Sequence, residues 1–369
     1  MPKFNGDEWE YLARRIAEYN LQEYGKDENP MAKRLTAEEK AKKEIVSQYT
    51  TLNKATPNLE KYGRNLNLLY MQGKLDPCYH REVPITAIQK ILLRKNKANV
   101  LLTGAAGCGK TAIAEGLAAI IAERNIAYAA ECINVKDTYK RHYKAWEKQW
   151  CDSETGEVSA DAPPAPTYAE PHKPFLCDCV IYDLSLNALV SGTKYRGEFE
   201  ENVQKILDEC KEHREVILFI DEIHQIVKTG GSDGSEGLAQ ILKPALARND
   251  IRVIGATTTD ETKIMTGDKA LMRRFCEVAI QPLAGVAAME TAEKILADYC
   301  QYHKVVCPTV SADELLQKTQ YFLPNTVFPD NFINIVDETL AGAVFDGLKE
   351  IDITHFNATI GRMANVIIV

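Results

Sequence analysis

The sequence predicts an α/β fold, a five-stranded parallel sheet flanked by helices, followed by a small α-helical domain. Three observations carry this expectation. Apolar runs near Val100, Val180, Ile217, Val253 and Val278 alternate with helical patterns and are too apolar for strands that expose one face. The first of these runs passes straight into a glycine-rich loop and then an alanine-rich helix pattern, the context in which a phosphate-binding loop works. After Pro282 the apolar spacing is helical throughout, over residues 291–302, 312–321 and 332–345.

The 369 residues, 45% of them hydrophobic, suffice for two or three structural units with ordinary cores. We divide them into a helical N-terminal extension (1–60), a large α/β domain (61–282) carrying an insertion (134–174), and the helical domain (283–369). No stretch approaches the roughly 20 apolar residues that span a bilayer, and residues 1–11 lack the apolar core of a secretion signal. A cytoplasmic location is therefore expected. The net charge of -8 argues against nonspecific nucleic-acid binding. The ten cysteines follow no framework spacing, and Cys108 sits inside the glycine-rich loop, which suits a reducing compartment.

In the extension, Trp9, Leu12, Ile16 and Tyr19 recur at helical spacing, and Thr36 with Glu39 reads as a capping box opening a second helix. Residues 99–103 are the first strand. Gly104, Ala105, Ala106, Gly107, Cys108, Gly109, Lys110, Thr111 and Ala112 then form the loop and the start of its helix. Its glycines let the backbone turn its N–H groups toward the phosphates of ATP; Lys110 reaches the β and γ phosphates and Thr111 holds Mg2+. A helix follows over 113–123. In the insertion, Tyr139, Tyr143, Trp146 and Trp150 fall on one helix face, with Lys136, Lys140, Arg141, Lys144 and Lys148 on others. The proline-rich second half of the insertion is a loop. The aromatic stripe either packs within its own domain or docks an adaptor, a neighbouring subunit or a substrate.

Val216-Ile217-Leu218-Phe219-Ile220 is a buried strand ending in Asp221 and Glu222. Paired with the phosphate loop, Asp221 is expected to orient magnesium through its water shell and Glu222 to polarise the attacking water. Residues 251–258 are a further central strand ending in Thr257 and Thr258.

Several segments are close to a known family. Tyr62-Gly63-Arg64-Asn65-Leu66, Gln72-Gly73-Lys74-Leu75-Asp76-Pro77, Ser191-Gly192-Thr193-Lys194-Tyr195-Arg196-Gly197-Glu198-Phe199-Glu200, Ala270-Leu271-Met272-Arg273-Arg274-Phe275 and the stretch 328–338 all resemble the first ATPase ring of Clp-type AAA+ protein unfoldases and disaggregases. The resemblance covers residues 62–369 apart from the insertion. It implies an AAA+ P-loop NTPase with a helical lid, working as an ATP-hydrolysing motor that unfolds or remodels proteins by threading them through a hexameric ring. Cys78, Tyr79 and His80 would lie beside the adenine, with Ile295 and Pro329 closing over it, although the family usually has glycine where His80 stands. Lys194, Tyr195, Arg196 and Gly197 would form a channel loop whose aromatic ring grips any polypeptide, and residues 230–234 a second, mobile channel loop. Thr258 would be the sensor that hydrogen-bonds the attacking water or the γ phosphate, its alternative role being to cap the following turn. Arg273 and Arg274 would reach a neighbouring subunit's nucleotide as arginine fingers.

The stretch that leads relatives into a second ring is present, yet the sequence stops at Val369, so a single-ring chain is expected and coupling to the usual peptidase is not. Residues 1–60 or 134–174 are the expected adaptor surfaces. The rival readings are a nucleotide-switched assembly scaffold or chaperone that acts on a partner without threading it, and a DNA-acting module, which the acidic balance disfavours.

Overall fold

The computed structural model describes residues 30–191, 196–228, 236–248 and 250–367. They fall into two compact units. One comprises the described parts of Met1–Leu52 with Ile120–Asp178, the other Asn53–Ala119 with the described parts of Cys179–Val369.

The larger unit is built on a sheet of β1 (Gly63–Asn65), β2 (Asn99–Thr103), β3 (Val180–Leu184), β4 (Val216–Ile220), β5 (Arg252–Thr257) and β6 (Phe275–Ala279). Their spatial order is β1-β3-β4-β5-β2-β6. The five expected strands run parallel. The sixth, β1, adds an antiparallel edge with Gly63 opposite Leu184; at three residues it is too short to show a period in the sequence. Every residue of β2 and β4 is buried, as a strand covered on both faces requires, whereas the edge strand β6 alternates. Asn99, fully buried, ties the middle of the sheet together: its Oδ1 accepts from Val253 N at 2.9 Å and its Nδ2 donates to Arg274 O at 3.3 Å. The carboxyl ends of β2, β4 and β5 open at one edge, where parallel sheets bind ligands.

The helical domain belongs to the same unit and consists of Gly285–His303, Ala312–Phe322, Asp330–Phe345 and Ile353–Ala364. Ala292, Leu315, Phe332, Ile335, Val336, Leu340, Phe356 and Ile360 fill its core and are fully buried. The last helix, which the sequence analysis did not delimit, is opened by Asp352. That carboxylate accepts from Thr354 N at 3.0 Å and, with His355, completes a capping box.

The 26-residue helix Pro30–Ala55, which belongs to the smaller unit as far as Leu52, buries Ala37, Ala41, Ile45, Tyr49 and Leu52 on one face. Thr36 and Glu39 therefore lie inside a helix that already begins at Pro30, and the expected capping box there is corrected. Trp9, Leu12, Ile16 and Tyr19 lie outside the described residues. The helix after the phosphate loop is longer than expected: it runs unbroken from Lys110 to Trp150, because no glycine or proline interrupts residues 117–150. Tyr49 Oη accepts from Asn125 Nδ2 at 3.0 Å, and the Arg124 guanidinium lies 4.3 Å from the Phe175 ring centre.

The insertion's own loop packs against part of the aromatic stripe, while Tyr143 stays exposed. Tyr139 meets Tyr168 edge to face at 5.7 Å between ring centres, and Trp146 Nε1 donates to Pro163 O at 2.9 Å. Asp152 starts that loop by accepting from Glu154 N and Thr155 N at 2.8 and 2.9 Å.

Candidate functional site

The phosphate loop leaves the buried end of β2 and must turn within a few residues. Gly107 and Gly109 take φ of +75° and +89°, the left-handed region that other residues resist. Gly104 is required for space instead: a Cβ there would lie 2.5 Å from Ile280 O. The Lys110 side chain folds back over the loop and donates to Gly104 O at 3.1 Å and Ala105 O at 2.9 Å. Thr111, one residue on, donates from Oγ1 to Asp221 Oδ2 at 2.7 Å. The two motifs, 110 residues apart, thus meet at a hydroxyl and a carboxylate.

Asp221 Oδ1 accepts from Glu222 N at 2.8 Å. Glu222 has φ of +51°, a conformation unusual for a residue with a side chain. This turn separates the two acids, and the Gln225 amide donates to Glu222 Oε2. Thr111, Asp221, Glu222, Thr258 and Pro329 share with Gly107, Lys110 and Ala112 the walls of a cavity of about 980 Å³. Thr258 also performs the local role foreseen for it. Its hydroxyl accepts from Glu261 N at 3.3 Å, capping Thr259–Thr266, while donating to Glu261 Oε2 at 2.8 Å.

The residues expected around the adenine are divided among three places. Pro329 lines the cavity, whereas Ile295 is buried in the lid core. Tyr79 and His80 instead reach the first lid helix. Tyr79 Oη donates to Asp298 Oδ2 at 2.9 Å with Lys294 Nζ 4.7 Å from its ring, and His80 Nε2 lies 3.0 Å from Glu290 Oε2. Burial, then the Asp298 carboxylate, pushes the Tyr79 hydroxyl up to about 12. Arg273 and Arg274 are exposed at the end of helix Lys269–Met272, just before β6. Lys194 and Tyr195 of the channel loop, and residues 230–234, lie outside the described residues. Arg196 and Gly197 open the helix Arg196–Glu212.

Two features of the site were not foreseen. Arg81 is buried beneath the loop, donating from Nη2 to Cys108 O at 2.6 Å and from Nη1 to Gln281 O at 2.8 Å, and burial lowers its pKa. His224 is buried behind Glu222 and lies within hydrogen-bond distance of Thr257 and Glu261. Arg81 stands between His80 and Glu82, and His224 between Ile223 and Gln225, so neither is set apart by its sequence surroundings and neither names its partner.

Residues 100–283 match the family model of ATPases associated with various cellular activities, AAA. The chain is 36% identical over 304 residues to chaperone protein ClpB of Aquifex aeolicus, covering 82% of this chain and 26% of that protein. It is 34% identical over 287 residues to the ATP-dependent Clp protease ATP-binding subunit ClpL of Staphylococcus aureus, covering 77% of this chain and 34% of that protein. Among solved structures, Hsp104 with ATPγS and FITC casein in its closed state superposes with a TM-score of 0.63 at 29% identity, over 84% of this chain and 45% of that one. The S. cerevisiae Hsp104–ADP complex also gives 0.63 at 29% identity, over 84% of this chain and 46% of that one. This chain thus spans about a third or less of these curated relatives. Among the described residues no helix is long and apolar enough to cross a membrane. With Lys110 and Thr111 on the loop after β2, and Asp221 and Glu222 after β4, this chain belongs to the AAA ATPase family and is homologous to ClpB and ClpL.

Proposed function

We propose that the chain hydrolyses ATP and uses the energy to unfold or remodel polypeptides as part of a hexameric ring. The observation that carries this is the meeting of Thr111 and Asp221 at 2.7 Å on the wall of the cavity that also holds Lys110 and Glu222. A hydroxyl and a carboxylate are the hard oxygen donors Mg2+ prefers, so the residues present fit the ion. Bound there, Mg2+ would neutralise charge on the β and γ phosphates.

The remaining work falls to the chain itself. Lys110 exchanges its carbonyl partners Gly104 and Ala105 for phosphate oxygens, and the backbone N–H groups of residues 104–112 receive the phosphates. Glu222, turned away from Asp221 by its left-handed backbone, polarises the attacking water. Arg273 and Arg274, exposed in the single chain, complete the site of the adjoining copy, a contribution of about a thousandfold or more in related phosphoryl transfers. Pro329, on the cavity wall, borders the base, with Tyr79 and His80 held beside it against the first lid helix and Ile295 supporting that helix from the lid core; Lys194, Tyr195, Arg196 and Gly197 move the polypeptide. Support for the motor comes from the likeness to Hsp104 solved with casein.

The test is the solution mass and ATP turnover of the Glu222→Gln protein beside the unaltered one. The proposal expects turnover to vanish in the variant while ATP gathers it into a hexamer. Tyr195→Ala should then hydrolyse ATP and fail to unfold a casein substrate. A protein that binds ATP and stays monomeric, or a Tyr195→Ala protein that still unfolds casein, refutes the threading ring.

A further inference from the structure

Behind the acid pair lies a closed circuit of four side chains. His224, 3% exposed, places Nδ1 at 3.0 Å from Thr257 Oγ1 and Nε2 at 3.1 Å from Glu261 Oε1. The other oxygen of that carboxylate, Oε2, accepts from Thr258 Oγ1 at 2.8 Å. Thr257, Thr258 and Glu261 all line the cavity of about 980 Å³ with Glu222, whereas His224 does not. The backbone closes the circuit, Ile223 N donating to Ala256 O at 2.9 Å. The turn after β4 and the end of β5 are thereby fixed to each other.

We propose that His224 is a positioning residue for ATP hydrolysis, acting through Glu261 and Thr257 to set the two hydroxyls at the phosphate end of the cavity. The inference rests on the ATPase reading above. Two physical arguments support it. A carboxylate on the wall of a phosphate site repels the γ phosphate unless it is held back; Glu261, whose side chain is 31% exposed, is held by an imidazole on one oxygen and a hydroxyl on the other. Because Thr258 commits its proton to Glu261, its oxygen faces further partners only as an acceptor. That suits a group that orients an attacking water and excludes one that donates to a phosphate oxygen. His224 thus governs a proton direction without touching the nucleotide, and its loss acts on turnover more than on binding.

The test compares His224→Ala, His224→Gln and Glu261→Gln for turnover number and for affinity toward a fluorescent ATP analogue. The expected result for His224→Ala is a fall in kcat of about tenfold or more with affinity within about threefold of the unaltered protein. In His224→Gln the amide can still donate to Glu261, so most of that loss is recovered. Adding Glu261→Gln to His224→Ala costs little more than either change alone, since both break one circuit. Full turnover in His224→Ala, losses that multiply in the double variant, or no recovery in His224→Gln overturns the proposal. If His224→Ala does not fold, Glu261→Gln and Thr257→Val decide by the same split between kcat and affinity, and normal kcat in both refutes it. An unaltered protein without ATP turnover would instead sink the ATPase reading, which Glu222→Gln monitors separately.

Discussion

Replacing Arg81 by methionine is the sharpest test of how the phosphate loop is held. The guanidinium is 7% exposed and donates to Cys108 O at 2.6 Å and Gln281 O at 2.8 Å. Hydrogen bonds from a charged donor are worth about 1.5–3 kcal/mol each, so the pair represents about 3–6 kcal/mol gross. Against this stands the cost of keeping a guanidinium out of water, the same burial that lowers its pKa. Methionine fills similar volume and removes that cost, which leaves a net loss of about 2–4 kcal/mol. The loss is local. Cys108 precedes Gly109, whose φ of +89° needs a fixed neighbour, so the N–H groups that receive phosphate lose their alignment. ATP affinity should fall about tenfold, corresponding to roughly 1.4 kcal/mol of the total. Urea unfolding followed by circular dichroism gives the first quantity and titration with a fluorescent ATP analogue the second. Stability within about 0.5 kcal/mol of the unaltered protein, together with unchanged ATP affinity, would show that Arg81 is a passive filler.

Gly255→Ala tests the packing behind the acid pair: the new Cβ would lie 2.4 Å from Ile223 Cδ1 and 2.9 Å from its Cγ2. More than the tip of Ile223 must move, so we expect a loss of about 1–3 kcal/mol together with slower ATP turnover; an unchanged melting temperature and kcat would contradict this. Trp146→Ala removes the indole hydrogen bond to Pro163 O, and residues 151–174 should be cut faster in limited proteolysis while ATP turnover stays within about twofold. A loop as resistant as before would show that Trp146 does not hold it. Hydrogen bonds from Thr354 and then His355 hold the Asp352 carboxyl down from its ordinary 3.8 to about 2. A depressed carboxyl stabilises fully above 3.8 and loses that contribution as pH falls toward 2. The difference in melting temperature between Asp352→Asn and the unaltered protein should therefore shrink across that window, and a constant difference refutes the linkage.

What could be read from the sequence is what physical chemistry writes locally. The phosphate loop needs closely spaced glycines, a lysine and a hydroxyl between a strand and a helix, and residues 104–111 supply them in one string. Asp221 and Glu222 follow an apolar strand for the same reason, since parallel strands deliver their carboxyl ends to the ligand. The lid's core positions obey a helical period, so its first three helices were legible. The parts that escaped depend on chain distant in sequence. Arg81 answers to a carbonyl 200 residues away at Gln281, and His224 to a hydroxyl 33 residues away at Thr257. No period or spacing encodes such pairs. Thr258 is a different case: the sequence offers contact with the attacking water or γ phosphate, or a cap on the next turn, and the hydroxyl makes the cap while its residue lines the cavity. The spacing of the aromatic stripe sets Tyr139, Tyr143 and Trp146 side by side, but nothing within 139–150 tells that the following loop folds back against Tyr139 and Trp146.

The same distant contacts join nucleotide to lid. Arg81 grips the phosphate loop with one nitrogen and, with another, Gln281 in the segment leading to Gly285–His303. Its neighbours His80 and Tyr79 reach Glu290 and Asp298 on that same helix. From the other side, helix Asp330–Phe345 begins against the loop itself, where a Cβ on Gly107 would lie 2.7 Å from Asp330 Cβ. Asp330 lines the cavity, so a carboxylate stands beside the loop that must receive phosphate. An anion entering there is repelled by Asp330 and attracted by the N–H groups and Lys110, and the two demands are reconciled if the helix carrying Asp330 shifts. A shift of that helix would carry Phe332 and Ile335, fully buried in the core that also holds Ile295, and so would move the lid with it. Nucleotide state and lid position would then be two readings of one equilibrium, coupled by reciprocal free energies.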